Sequence, residues 1–234
     1  DPAIYPGARA LQGAQIPEVE PRPNPNLIAG VFPPIGEEGC MIFLPEDPDV
    51  MPGPDCVYGD VDAETTIVLA GGSHIEPFVI PLDALGKEHH FKVAAFVRQE
   101  CPLVVGGPDD PANEIVSPVC AEWGENALRA IIDMGPDMII STSTRPAGHA
   151  GDGIVSADYV PEAYTNLWQR LAELGIPFVG LRDNPWMFNP DGDPMDPNLC
   201  IVMGYPDYAC SMAADMVYAQ EDPASYFLDG DLAQ

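Results

Sequence analysis

From residue 65 onward the apolar residues come in two rhythms: short runs rich in β-branched side chains, and longer stretches in which they recur at helical spacing. The first rhythm predicts strands at 66–70, 92–97, 137–142 and 176–182, with a shorter one at 225–228. The second predicts helices at 75–86, 121–134 and 161–174. The middle helix carries Trp123, Ala127, Ala130, Ile131 and Met134 on one face and stops at Gly135-Pro136. In the last, Pro161 suits the first turn and Gly175 the C-terminal cap. Pro77, early in the first helix, fits within an opening turn, where its missing N–H costs nothing. Strands alternating with helices predict a parallel sheet covered by helices, an α/β fold. In an open sheet of that kind the ligand site forms beyond the C-terminal strand ends, so the loops at 71–74, 141–153 and 183–189 are expected to meet there.

Residues 1–64 follow neither rhythm apart from a short apolar run at 27–32. Pro21, Pro23, Pro25, Pro33 and Pro34 give this part the character of an extended arm. Its apolar residues, Ile28, Val31, Phe32, Met41, Ile42, Phe43 and Leu44, predict that it wraps a core domain spanning 65–234. No internal repeat is evident, and Gly-rich phosphate-binding fingerprints are missing.

The first predicted strand ends in Gly71-Gly72-Ser73-His74. Glycines allow the sharp turn that presents a nucleophile between a strand and a helix, and the helix N-terminal amides beyond it suit an oxyanion. Ser73 is therefore the candidate nucleophile. A serine hydroxyl needs a base, and the chain has His74, His89, His90 and His149 to offer. His74 adjoins the serine in sequence and is expected to point away from it in a structural hydrogen bond. His149 sits in a glycine-rich loop, where it serves as a base only if the loop folds over Ser73.

Charge narrows the partners. With 37 acidic side chains against 9 basic ones, the formal net charge of −28 repels phosphate backbones and anionic bilayers, which argues against nucleic acid and lipid headgroups. No run approaches the roughly 20 apolar residues of a membrane span, and no signal sequence opens the chain. Its first residue is Asp1, as expected of a processed chain or a portion of a longer one. The acidic run at 189–196 has hard oxygen ligands but not the spacing of a calcium loop, so an acidic turn is expected there and no metal or cofactor is assigned. The 6 cysteines show no C-x-x-C spacing and no histidine at metal-ligand distance, which favours disulfides over zinc and so an oxidising compartment.

The pattern C-x-x-G-D at Cys56 to Asp60, then an apolar strand, then G-G-S-H at Gly71 to His74, resembles the SGNH-hydrolase-like domain fused to membrane acyltransferases of the acyltransferase-3 type. The resemblance implies a flavodoxin-like three-layer sandwich. It also implies an extracytoplasmic O-acyltransferase that carries an acyl group on Ser73 and passes it to a hydroxyl of an envelope glycan or glycolipid. A membrane acyltransferase domain or an envelope complex would be its partner. A serine esterase and a non-catalytic binding module are the alternatives. With proximity along the chain, the resemblance favours the pairs Cys40 with Cys56, Cys101 with Cys120 and Cys200 with Cys210. Family members usually read G-D-S-H, so Gly72 stands where an aspartate is usual, and the turn after the third strand lacks the usual asparagine. Thr144 or Arg145 is the replacement expected there for holding an oxyanion or substrate, with Gly72 contributing from the serine turn. Asp183, in a stretch like the family's D-x-P segment, is expected to orient a base or touch substrate, and Trp186 nearby to be structural. The family's D-x-x-H block is expected beyond Gln234, or lost, because no histidine follows His149.

Overall fold

The structure, a computed structural model, describes residues 1–234 except 2, 16, 21, 23, 25–26, 28–30, 44–46, 147–157, 185–196, 212–220 and 228–234. Expectations for Pro21, Pro23, Pro25, Ile28, Leu44, His149, Trp186 and the acidic run at 189–196 fall outside the described residues.

Strands β1 (Met41–Ile42), β2 (Val57–Gly59), β3 (Thr66–Gly71), β4 (Lys92–Arg98), β5 (Met138–Thr142) and β8 (Phe178–Leu181) form one sheet. Strands β6 (Arg145–Pro146) and β7 (Asp158–Tyr159) make a small antiparallel ladder between the last two. The main path runs β1-β4-β3-β5-β8 with every pair parallel, while β2 pairs antiparallel with β4. This is the α/β sheet covered by helices that the alternation predicted, in the three-layer form that the family resemblance implied.

Period-2 alternation sorts the side chains into two layers. Leu69 on β3, Val93, Ala95 and Val97 on β4, and Ile140 on β5 face one cluster with Ile75 and Val79. Val68, Ala70, Ala94, Phe96 and Ile139 face the other, against Trp123, Leu128 and Ile131 of helix α2 (Pro118–Met134) and Leu167, Trp168 and Leu171 of α3 (Glu162–Leu174). Helix α1 (Val79–His89) covers the first face, with Val79 buried and Leu82 packed against that cluster. Pro77 lies in a 3-10 turn at Glu76–Phe78 and Pro81 in the first turn of α1, both where amide donors have no helical acceptor. Gly135 and Gly175 cap α2 and α3 in the left-handed conformation. Helix α2 starts three residues earlier than its apolar stripe suggested, because Ser117 caps the Cys120 amide at 3.2 Å and Pro118 occupies the first turn.

Two expectations need revision. Residues 223–227 form a 3-10 turn instead of a strand: Asp222 accepts the Ala224 amide at 2.9 Å, and Pro223 fixes the helical φ. The proline-rich N-terminal part is also more than a wrapping arm, since β1 and β2 belong to the sheet. Both lie along the edge of β4 that β3 leaves open, β2 against Lys92–Ala94 and β1 against Val97–Arg98. Ile35, Cys40, Met41 and Cys56 are buried in the core under α1.

The bridges Cys40–Cys56, Cys101–Cys120 and Cys200–Cys210 are formed. They join the same pairs that the family resemblance implied. Where β2 passes under α1, two backbones touch: a Cβ on Gly86 would lie 2.5 Å from the Phe91 carbonyl oxygen and 2.8 Å from Gly59 Cα. Both obstacles are main chain and cannot swing aside. Gly86→Ala is therefore expected to lose about 2–3 kcal/mol, although alanine is otherwise the better helix former by about 1 kcal/mol. Thermal unfolding should show a melting temperature lower by roughly 4–12 °C, and an unchanged value would refute the close approach.

Candidate functional site

Strand β3 ends at Gly71, whose φ of +141° turns the chain out of the sheet. A Cβ there would press to 3.3 Å on Ser141 Oγ. Gly72 is different, for a Cβ would meet the Cys101 backbone at 3.6 Å, an ordinary contact. The turn therefore requires glycine at 71 and merely tolerates it at 72, so space alone does not explain the missing aspartate. Ser73 follows, half-buried, in a turn closed by the Ile75 amide on the Gly72 carbonyl at 3.1 Å. Ile75 itself is fully buried and anchors the turn.

Ser73 opens onto a cleft of about 690 Å³. The serine turn contributes Gly72, Ser73 and His74 to its lining, and the segment after β4 contributes Glu100 and Pro102. Ile115, Val116, Ser117 and Cys120 form a wall at the start of α2. Thr142 closes β5, Arg145 and Tyr159 face in from the β6–β7 ladder, Tyr164 from α3 and Asp183 from the end of β8. These positions lie beyond the C-terminal ends of the parallel strands, where an open α/β sheet places its ligands. The loops expected to converge do so as far as they are described.

His74 and Asp183 are the best-defined pair in the cleft. The imidazole Nδ1 lies 2.6 Å from Asp183 Oδ1, and the Asp183 side chain is only 7 % exposed. The carboxylate also accepts the Asn184 amide at 2.7 Å, and the Asp183 amide donates to Thr144 Oγ1 at 2.9 Å. Thr144, expected at an oxyanion, is thus buried beneath Asp183, and its place on the cleft lining falls to Thr142. His74 thus makes the hydrogen bond expected of it, with Asp183 as the partner. Tyr164, bonded to Thr142, has its phenol pushed above the usual value by burial.

The bond to Asp183 raises the His74 pKa, while burial and the nearby Arg145 charge pull it down. A histidine with a raised folded-state pKa adds stability that is complete below its ordinary pKa of about 6.5 and fades as pH rises past the folded value. In Asp183→Asn the two lowering influences remain. The His74 titration midpoint, followed by NMR, is expected to lie above 6.5 in the parent chain and to fall in the variant. With His74 43 % exposed at its side chain, the stability lost is about 1 kcal/mol at pH 5.5 and less at pH 9. Equal losses at both values would contradict the pairing.

Arg145 and Asp183 reach the cleft as their positions suggested, whereas Tyr159, Tyr164 and the wall at 115–120 carried no sequence signal for it. His90 is elsewhere, paired with Asp60 at 2.9 Å on the surface. Among the described residues no group of three or more potential ligands is placed to hold a metal ion, and no helix is long and apolar enough to cross a membrane.

A parallel sheet between helical layers, with a serine on the turn after a central strand and a cleft at the C-terminal edge, defines the SGNH class of α/β domains. The family model described as "SGNH domain (fused to AT3 domains)" matches residues 40–230, and the chain belongs to that family. No curated protein and no solved structure matches the chain.

Proposed function

We propose that this chain is the extracytoplasmic domain of an envelope O-acyltransferase, taking an acyl group onto Ser73 and passing it to a hydroxyl of a glycan or glycolipid. The observation that carries the reading is the position of Ser73, on a tight turn at the mouth of a cleft, in a family whose members are fused to AT3 domains. Three disulfides are in keeping with an oxidising compartment outside the cytoplasm. A membrane acyltransferase domain, or an envelope complex containing one, is the natural source of the acyl group. Ser73 Oγ attacks an acyl ester or thioester, the donor's alcohol or thiol leaves with the serine proton, and a second hydroxyl then takes the acyl group. Water as the acceptor makes the same site an esterase.

A non-catalytic binding module is the second reading. It is favoured by Gly72, which stands where an aspartate is usual, and by the burial of Thr144, whose hydroxyl is taken up by the Asp183 amide. The test is covalent. A fluorophosphonate probe should leave an adduct that peptide mass spectrometry maps to Ser73. Recovery of unlabelled Ser73 peptide after saturating probe would favour the binding module.

A further inference from the structure

Arg145 is a cation in a cleft of a very acidic protein. Among the described residues it makes no ion pair, although acidic side chains outnumber basic ones 37 to 9. Two other half-buried or exposed cations do find carboxylates, Arg182 on Asp158 at 2.7 Å and Lys87 on Asp83 at 2.7 Å, whereas Arg145 lines the cleft. Arg145 lines the cleft together with His74 and Tyr164, and its charge acts on both.

We propose that the cleft beside Ser73 takes a carboxylate-bearing hydroxyl compound, an acidic sugar unit of a glycan, with Arg145 holding the carboxylate. As a statement about the acyl acceptor, this rests on the acyl-transfer reading above; as a statement about binding, it does not. A guanidinium matches a carboxylate in a two-pronged hydrogen bond and is stronger where water is partly excluded. Arg145 is half-buried, so its field inside the cleft is less screened than that of exposed charges. The negative surface acts from farther away and is damped over about 8 Å at physiological salt.

The other cleft charges do not compete on equal terms. Asp183 is engaged by His74 and the Asn184 amide, and Glu100 is exposed to solvent. Tyr159, the register partner of Arg145 across the β6–β7 ladder, lines the cleft beside it as an aromatic surface for a sugar ring. Pro102, Ile115 and Val116 supply an apolar wall for the acyl chain. A volume of about 690 Å³ accommodates both. In the transfer step the acceptor oxygen forms the bond to the acyl carbon, the bond from that carbon to Ser73 Oγ breaks, and the acceptor proton ends on Ser73 Oγ.

The experiment compares binding of digalacturonate and its methyl ester, which differ in charge, to the Ser73→Ala chain by ligand-observed NMR. The acid is expected to bind at least about tenfold tighter. Arg145→Gln, checked for an unchanged melting temperature, should erase that difference, and Arg145→Lys should keep part of it. Equal binding of the two ligands, binding of neither, or a difference that survives Arg145→Gln would overturn the inference. An arginine that served only an oxyanion would leave the acid-to-ester ratio untouched. If digalacturonate binds as expected but fluorophosphonate leaves Ser73 unmodified, the acyl-transfer reading fails and the carboxylate site stands.

Discussion

Ser73→Ala is expected to abolish fluorophosphonate labelling and to lower turnover of an activated ester such as p-nitrophenyl acetate by on the order of 10⁴-fold. Loss of a nucleophile removes the covalent route and leaves only what binding and an oxyanion site contribute. The fold should not register the change. The turn is held by Gly71, by the Ile75 amide bond and by the buried Ile75 side chain, none of which involves the serine hydroxyl. A substitution of this kind shifts stability by about 0.5 kcal/mol or less, so the melting temperature should stay within roughly 2 °C. Turnover that persists in the variant would place the chemistry elsewhere or deny it altogether.

The second large effect lies at the Cys101–Cys120 bridge. Its ends lie 19 positions apart along the chain, and closing a loop of that size stabilises a fold by about 3 kcal/mol in the chain-entropy model. Replacing both cysteines with serine should lower the melting temperature by roughly 6–12 °C. Activity should suffer more than stability alone explains. The Cys101 backbone packs beside Gly72, and Cys120 lines the cleft at the start of α2, so the bridge fixes the wall facing the serine turn. Assayed well below the variant's melting temperature, Ser73 labelling should still be slower than in the parent. Equal labelling rates would show that the bridge serves stability only.

Much of this architecture is visible in the residue pattern because it is local. Strands β3, β4 and β5 are buried on both faces and so read as continuous apolar runs, and Gly135 and Gly175 mark helix ends by the left-handed turn they permit. Strands β1 and β2 could not be read that way. At two and three residues they have no periodicity of their own, and they exist because β4 offers an unpaired edge. The cleft divides similarly. Ser73 is announced by the glycines before it, whereas the His74–Asp183 bond joins residues 109 positions apart and depends on β3 and β8 ending on the same side of the sheet. Tyr159 and Tyr164 gave no signal, since buried and half-buried tyrosines are common in any α/β protein. The proline at the head of 223–227 belonged to a helical turn, and an aromatic-rich stretch there imitated a strand.

The divided cover on the outer edge of β4 bears on how the chain can be trimmed. Composition invites a cut at residue 65, where the prolines thin out and the regular alternation starts. That cut would strip the hydrogen-bonding partners from Val93, Val97 and their neighbours, and lift Ile35 and Met41 off the layer beneath α1. The remainder would present a bare, apolar ladder to any other strand in solution, the situation that leads to aggregation. The smallest piece able to stand alone therefore begins upstream of Ile35, inside what composition marks as a mere leader.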